Sequence, residues 1–281
     1  MKIKFTKMHG IGNDYVYVDC FKTTVAEPEK LAVAVSDRHK GIGSDGLVLI
    51  CPSDVADAKM RMFNLDGSEG KMCGNAIRCV AKYLVDEGYT DKNVLHIETL
   101  SGIKRTEVFK ENGAVKTVSV EMGKATTEPE RVPVRSLTPI VNEKRTFGGR
   151  EYAITAVSVG NPHCVTFMDD LDSLDIEKIG RAFENSELFP ERVNTEFVKI
   201  LGRNEIAMRV FERGSGETLA CGTGACAAVY ACALIGLVER DAKVRVKLLG
   251  GELEIVCRSD DTLLMIGGAT RVFDGEYYYE Y

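Results

Sequence analysis

The chain has 281 residues, of which 28% are charged and 44% hydrophobic, with a formal net charge of −6 and no Trp. This length exceeds the ~100–200 residues of a usual domain and predicts two domains. The composition is globular and excludes disordered, collagen-like and coiled-coil chains. The acidic balance argues against nucleic-acid and membrane partners, and no apolar run reaches the ~20 residues of a bilayer span. The start lacks a signal-peptide pattern, so we expect a soluble, cytoplasmic protein.

Short alternating stretches rich in Val, Ile, Tyr and Phe predict strands along most of the chain. After an N-terminal strand they cover residues 15–19, 47–51, 59–63, 94–99, 115–122, 152–159, 163–168, 206–211, 244–248 and 252–257. Two stretches predict helices: 76–85, which ends before Gly88, and 225–235, which stops at Gly236. The second helix is apolar almost all round, so we expect a sheet curled around it. The proline-containing, charged segment 123–150 is interpreted as the crossover between domains.

The two halves of the chain repeat one another. A shift of 148 residues superimposes Cys73 and the following Gly on Cys221 and the following Gly, and it pairs Gly88 with Gly236. In both copies a strand, a polar Gly/Ser loop, Cys-Gly and a helix closed by Gly follow in that order. Two copies are too few for a solenoid, which needs about three repeats. The pattern predicts two pseudo-symmetric domains that face each other across a cleft.

The cysteines divide into two special residues and seven ordinary ones. An odd count of nine without a CxxC pair argues against a disulfide scaffold and against a zinc ribbon, and we expect no bound metal. Free cysteines are commonly buried as small hydrophobic residues. We therefore expect core or structural positions for Cys20, Cys51, Cys79, Cys164, Cys226, Cys232 and Cys257.

Cys73 and Cys221 lie in the strings GSEGKMCGNAIRC and GSGETLACGTGAC, where a glycine-containing loop becomes a helix. The first turn of a helix carries about +0.5 charge and free N–H groups, which can stabilise a thiolate and hold a carboxylate. We expect the pKa of both thiols to be lowered by this position. Two such cysteines on opposite sides of one carbon suit inversion of a stereocentre, with one thiolate removing a proton and one thiol delivering another.

The chain resembles the diaminopimelate epimerases. The resemblance rests on KMHGIGNDYVYVD, DRHKGIGSDG, FNLDGSEGKMCGNAIRC, GNPHCV, FPERVN, VFERGSGETLACGTGACA and VFDG, which span nearly the whole chain. It implies an α+β fold of two pseudo-symmetric domains, each a curled, mostly antiparallel, barrel-like sheet around a central helix. The implied domains are 1–122 plus 268–281, and 123–267. It also implies a homodimer and cofactor-independent interconversion of LL- and meso-diaminopimelate, a small-molecule substrate, in lysine and peptidoglycan precursor biosynthesis.

The resemblance implies roles for individual residues. The acid and base are Cys73 and Cys221, supported by His163 and Glu212. The implied substrate-binding residues are Asn13, Asn64, Gly74, Asn75, Asn161, Asn194, Glu212, Arg213, Gly222 and Thr223. A long diacid diamine suits a fixed cation such as Arg213 for its far carboxylate, in a bidentate grip. Several family members carry Gln after Asp45, where this chain has Gly46, so that side-chain contact is missing here.

Three other functions use the same residues. A two-cysteine proline or hydroxyproline racemase would bind a substrate with a single carboxylate and would not need Arg213. A thiol redox or metal-binding protein would join Cys73 to Cys221, although no His or Cys follows either one at ligand spacing. We expect instead that oxidation joining these two cysteines abolishes activity and that a thiol reductant restores it. A binding module without turnover is the third alternative.

Overall fold

The computed structural model describes residues 2–279 as a mixed α+β protein with four helices among many strands. The predicted α+β class is thus confirmed. Contacts divide the chain into two compact units, Met1–Val120 with Ile266–Tyr281, and Glu121–Met265. The predicted boundaries lie two residues further along the chain at each crossing (122 against 120, and 267 against 265). That each unit is a domain able to fold alone stays a prediction.

The first unit is built on a mixed sheet. Its elements are β1 (Lys2–Gly10), β2 (Asn13–Asp19), α1 (Pro28–Ser36), β3 (Gly46–Cys51), β4 (Ala58–Asn64), β5 (Glu69–Gly70), α2 (Gly74–Asp86), β6 (Val94–Thr99), β7 (Gly102–Glu111), β8 (Ala114–Lys124) and β18 (Thr270–Tyr278). Strand β1 pairs antiparallel with β18 and β2, and β2 pairs parallel with β3. Strand β4 is antiparallel to β3 and β5 and parallel to β6, which is antiparallel to β7. Most of these pairs are antiparallel, as predicted.

The second unit repeats this pattern. Its elements are β9 (Glu143–Phe147), β10 (Arg150–Ser158), β11 (Pro162–Phe167), α3 (Ile176–Glu184), β12 (Asn194–Gly202), β13 (Glu205–Glu212), β14 (Gly216–Thr218), α4 (Gly222–Leu234), β15 (Lys243–Leu248), β16 (Gly251–Cys257) and β17 (Thr262–Gly268). Strand β11 is antiparallel to β10 and parallel to β12. Strand β13 is antiparallel to β12 and β14 and parallel to β15. The bounds of α1 and α2 become those of α3 and α4 when 148 is added, so the predicted internal repeat is confirmed.

Each unit encloses one helix within its own strands. Helix α4 contacts β10, β11, β12 and β16, and its residues from Gly224 to Cys232 are all buried. Helix α2 contacts β1, β2, β4, β6 and β7. The prediction that an all-apolar helix must be enclosed is therefore correct. On the opposite face of β12, Phe197 belongs to a core cluster with Phe183 of α3. Because residues alternate along a strand, Glu196 lies on the face that holds α4.

The crossover interpretation of 123–150 was wrong. This segment contains β9, and Val132, Val134 and Ile140 are buried in the core of the second unit. Its prolines and charges lie in turns between buried apolar residues, so composition alone suggested a linker. Helices α1 and α3 were not predicted, because each is only 9 residues long and lies among strand-like runs. None of the helices within residues 2–279 is long and apolar enough to cross a membrane.

Candidate active site

Cys73 and Cys221 occupy equivalent positions at the start of α2 and α4. Each is the N-cap residue, with extended backbone angles of −132° and 120° for Cys73 and −123° and 108° for Cys221. The sulfur of Cys73 accepts a hydrogen bond from the Ala76 N–H at 3.5 Å, and that of Cys221 accepts one from the Gly224 N–H at 3.3 Å. The predicted place of both cysteines, where a loop becomes a helix, is confirmed.

An amide network surrounds Cys73. The Asn13 carbonyl oxygen lies 3.5 Å from the Cys73 sulfur and accepts a hydrogen bond from the Asn75 amide at 3.3 Å. The Asn13 amide in turn donates to Asp45 at 2.8 Å. The Tyr15 hydroxyl is also hydrogen-bonded to the sulfur. We call Asn13, Tyr15, Asp45, Cys73 and Asn75 the Cys73 cluster.

A longer hydrogen-bonded chain leads away from Cys221. Its sulfur lies 3.5 Å from the Thr223 hydroxyl, which accepts from the Asn161 amide at 3.4 Å. The Asn161 carbonyl oxygen lies 3.0 Å from Nε2 of His163, and Nδ1 of His163 lies 2.7 Å from Oε1 of Glu196. We call Asn161, His163, Glu196, Cys221 and Thr223 the Cys221 cluster. Two predicted site residues, Asn161 and Thr223, thus connect Cys221 to His163.

The remaining predicted residues of the second unit lie around the end of β13. Arg213 donates its backbone N–H to Asn194 at 2.9 Å, and its guanidinium group donates to the Glu191 carbonyl at 2.8 Å. Glu212 accepts from the Thr218 hydroxyl at 2.5 Å, and its charge acts on the Cys221 thiol. Asn194, Glu212 and Arg213 are therefore brought together at the ends of adjacent strands.

Asn64 of the first unit is placed differently. Its side-chain amide donates to Ser68 at 3.0 Å, and its backbone N–H donates to the Ser68 carbonyl at 2.9 Å. These bonds close the turn between β4 and β5, just before Cys73 in sequence. The recorded hydrogen bonds of Asn64 therefore serve the turn, and its role as a substrate contact stays a prediction.

The expected lowering of both thiol pKa values was wrong for the protein without substrate. Burial raises the pKa of the Cys73 thiol despite opposing hydrogen bonds from the Ala76 and Asn75 N–H groups. Burial raises the pKa of the Cys221 thiol well above its ordinary value, and the charges of Glu212 and Glu196 raise it further. Helix position alone suggested a thiolate, whereas the loss of hydration outweighs the helix N–H groups at both sulfurs.

The two clusters use one framework with different chemistry. Under the shift of 148, Asn13 corresponds to Asn161, but Tyr15 corresponds to His163 and Val48 corresponds to Glu196. Parallel pairing of β11 with β12, and of β2 with β3, has the same register in both units. The two clusters are therefore not interchangeable, because the Cys221 cluster contains a His–carboxylate pair and the Cys73 cluster does not.

Sequence reasoning missed Tyr15, Asp45 and Glu196 as members of these clusters. Asp45 lies in a quoted motif, and its Gly-x-Gly-x-Asp context was a usable signal. Glu196 also left a signal, because an acidic residue stands inside the otherwise buried run of β12. Tyr15 left none, since an aromatic residue in a strand is ordinary.

Gly46 lies at the start of β3, opposite Asn64 of β4. A Cβ atom at this position would lie 2.1 Å from the Phe63 carbonyl oxygen and 2.9 Å from the Tyr15 ring. Contacts below 3.0 Å essentially do not occur for Cβ atoms, so a side chain here would require the backbone to shift. The local backbone of this chain is therefore fitted to glycine.

The chain is similar to diaminopimelate epimerases over nearly its whole length. The family model described as diaminopimelate epimerase matches residues 5–128 and 155–272. A diaminopimelate epimerase of Acetivibrio thermocellus is 54% identical over 276 residues, which is 98% of both chains. One of Methanococcus maripaludis is also 54% identical, over 98% of this chain and 99% of its own. One of Bacillus cytotoxicus is 48% identical over 99% of this chain and 98% of its own.

Solved structures with low identity share the fold. A PhzF-family phenazine biosynthesis protein of Bacillus anthracis gives a TM-score of 0.70 at 18% identity, over 99% of this chain and 100% of its own. A hydroxyproline epimerase of Agrobacterium vitis gives 0.69 at 12% identity, over 98% of this chain and 91% of its own. At these identities the likeness concerns the fold alone.

Proposed function

Because the chain belongs to the diaminopimelate epimerase family, we propose that it interconverts LL- and meso-diaminopimelate without a cofactor, by proton transfer through Cys73 and Cys221. The enzyme class is an epimerase that acts on a small molecule. The observation that carries the mechanism is the equivalent placement of the two thiols, each at the N-cap of an enclosed helix. Its place in lysine and peptidoglycan precursor synthesis is part of the same proposal.

The reaction needs one thiolate and one thiol. The thiolate takes the α-proton and becomes a thiol, and the substrate carbon is left with negative charge that is delocalised into its carboxylate. The other thiol then donates its proton to the opposite face of the carbon and becomes a thiolate. Each turnover exchanges the roles of Cys73 and Cys221. The N–H groups at the starts of α2 and α4 can stabilise the carboxylate while it carries extra charge.

Substrate binding has to supply the stabilisation of a thiolate that the free protein lacks at both cysteines. Burial favours the neutral thiol at both cysteines. An α-ammonium group bound beside a sulfur lowers the pKa of the thiol, because an opposite charge stabilises the thiolate. We therefore expect the thiolate to form together with the bound substrate. This order protects the sulfur from side reactions in the free enzyme.

Several groups suit a diacid diamine. Asn75 is 3% exposed, and its carbonyl oxygen has no hydrogen-bond partner within residues 2–279, so it can accept from an ammonium group. Glu212 supplies a carboxylate for an ammonium group. Arg213 is exposed and supplies a planar cation for the distal carboxylate. We expect Arg213→Ala to raise KM for diaminopimelate much more than it lowers kcat.

The direct test is conversion followed by chiral chromatography. The reduced protein is incubated with LL-diaminopimelate, meso-diaminopimelate and L-proline in separate reactions. Formation of the other diaminopimelate isomer, with no D-proline, supports the proposal. Racemisation of proline without turnover of diaminopimelate would establish the two-cysteine proline racemase alternative. Binding of both diaminopimelate isomers without turnover would establish a binding module.

Matched cysteine variants test the mechanism. Cys73→Ala and Cys221→Ala should each abolish conversion while the far-ultraviolet circular dichroism spectrum stays that of the parent protein. Replacement by Ser should leave only a residue of activity, because a hydroxyl group ionises far less readily than a thiol. Cys79→Ala, which changes a buried helix cysteine that follows the same N-cap, is the control and should retain turnover.

The family also suggests a homodimer, and strand β18 offers a surface for it. One edge of β18 pairs with β1, while Val272, Phe273 and Tyr278 are exposed by 53%, 46% and 75%. Exposed apolar residues on a sheet edge are typical of strand-to-strand association. We propose that a second copy covers this strand. Sedimentation of the parent protein and of Phe273→Lys tests this proposal. The parent protein should be a dimer and the variant should dissociate more readily, whereas a monomeric parent protein would contradict the proposal.

A further inference from the structure

Glu196 is a fully buried carboxylate that the proposed reaction does not use. The residue is 0% exposed, and its Oε1 atom lies 2.7 Å from Nδ1 of His163, which is also 0% exposed. Its Oε2 atom has no hydrogen-bond partner within residues 2–279. A buried carboxylate with one unsatisfied oxygen is unfavourable unless it is neutralised. A carboxylate at this position therefore points to an effect on the groups beside it rather than to a contribution to stability.

The fold does not need an acid at this position. The equivalent residue of the first unit is Val48, which is also 0% exposed and lies on the matching strand in the same register. Helix α4, which lies beside Glu196, also differs from the equivalent helix α2 at the position that faces this residue. A Cβ atom on Gly224 would lie 2.6 Å from Glu196 Oε1, whereas the first unit has Ala76 there. Helix α4 therefore makes room for the carboxylate.

Hydrogen-bond directions determine where protons lie in this chain. The Asn161 amide donates to Thr223, so the Asn161 carbonyl oxygen faces His163 and requires a proton on Nε2. A second proton must then lie between Nδ1 and Glu196, since two acceptors 2.7 Å apart would repel. It is carried either by an imidazolium beside a carboxylate or by a protonated Glu196 that donates to Nδ1. Both states are electrically neutral overall.

We propose that Glu196 is a positioning residue for Cys221: with His163 it holds one buried proton, fixes the Nε2–H tautomer and thereby orients Asn161 and Thr223 toward the sulfur. Burial raises the pKa of Glu196, which supports retention of that proton. The titratable groups that face Glu196 are His163, Glu212, Cys164 and Cys221. The part of this inference that concerns turnover rests on the proposed function.

The orientation has a chemical consequence at the thiol. When Asn161 donates to the Thr223 oxygen, the Thr223 hydroxyl proton is free to donate to the Cys221 sulfur, which stabilises a thiolate. If the shared proton is lost, a neutral His163 with Nδ1–H presents a bare Nε2, and the Asn161 amide has to rotate. Thr223 then donates to Asn161 and accepts from the thiol. The proton near Glu196 thus favours the basic form of Cys221.

Nitrogen-15 NMR of the histidine rings tests this without any substrate. The chain has four His residues, and the exposed His39 and His96 serve as internal references for the ring signals. From about pH 5.5 to about pH 8.5, His163 of the parent protein should keep Nε2 protonated. In Glu196→Val, which copies the residue of the first unit, Nδ1 has no group with which to share a proton, so a changed Nδ1 signal and a mixture of tautomers are expected. Glu184→Gln, a change at another buried carboxylate of the same unit, should leave the His163 signal unchanged.

Turnover of the same variants completes the test. Glu196→Val should lower kcat by at least about tenfold. Glu196→Gln keeps the volume, can donate an N–H to Nδ1 and should retain most of kcat together with the Nε2–H signal. It also carries the test if the Val variant does not fold.

Three results overturn the inference: a bare Nε2 in the parent protein, an unchanged His163 ring in Glu196→Val, or equal defects of the Gln and Val variants. If the parent protein shows the expected ring state but does not turn over diaminopimelate, the proposed function fails and the assignment of Glu196 stands.

Discussion

Adding one methyl group at Gly224 should separate stability from activity in the Cys221 cluster. The new Cβ atom would lie 2.6 Å from Glu196 Oε1 and 3.2 Å from the Cys221 sulfur, whereas ordinary contact begins at 3.4 Å. Overpacking of this kind destabilises by roughly 1–3 kcal/mol, and replacing a helical glycine returns up to about 1 kcal/mol. The net loss of stability in Gly224→Ala is therefore about 0–3 kcal/mol. The Glu196 carboxylate must nevertheless move by roughly 0.8 Å and the Cys221 sulfur by roughly 0.2 Å, and misplacement approaching 1 Å lowers turnover by about 100-fold.

Urea unfolding and epimerase turnover measure the two effects. Gly202→Ala is the matched control, because Gly202 lies at the other end of β12 and no atom lies within 4 Å of its added Cβ. The control should change neither quantity appreciably. Unchanged kcat in Gly224→Ala would show that the close packing of Gly224, Glu196 and Cys221 has no bearing on catalysis. A loss of stability matching the loss of activity would assign the effect to unfolding.

Two further predictions follow from pKa directions and ion pairing. The pKa of the Cys51 thiol is lowered, chiefly by a hydrogen bond from the Cys20 thiol. The pKa values of the Cys73 and Cys221 thiols are raised. Raising the pH should therefore make Cys51 react with iodoacetamide before the other two, as peptide-resolved mass spectrometry would show; earlier reaction of Cys221 would contradict it. Arg209 donates to both Glu217 oxygens and to two carbonyl groups. Within residues 2–279 the hydrogen bonds of the equivalent Arg61 go to Glu69, and its side chain is more exposed, 33% against 18%. Arg209→Met should thus lower the free energy of unfolding by about 2–3 kcal/mol and Arg61→Met by about 1 kcal/mol or less, and equal losses in urea unfolding would refute the comparison.

Much of the fold followed from local patterns in the sequence. Alternating apolar residues located eleven strands within one or two residues, and the apolar run after Cys221 located an enclosed helix. The strands that this pattern did not locate are β5, β7, β9, β12, β14, β17 and β18. The shift of 148 residues predicted that whatever forms around Cys73 forms again around Cys221. This worked because strand alternation and helix stripes are set by which faces are buried.

Other features depend on contacts that are distant in sequence. Helix α1 is short, and its apolar residues pack against β3 rather than forming a long stripe. Glu196 meets His163 only because β11 and β12 pair in parallel with a particular register. The thiol pKa values could not be predicted from the helix ends alone, since they also depend on how completely the sulfurs are buried.

In the proposed mechanism an exchangeable thiol delivers the proton to the inverted carbon. Proton NMR of LL-diaminopimelate incubated in deuterated water with the reduced protein tests it most directly. Each molecule of meso product should carry deuterium at the inverted α-carbon, because the donating thiol has exchanged with solvent before it reacts. Meso product that forms at the same rate but retains its original α-hydrogen at that carbon would contradict proton transfer through Cys73 and Cys221.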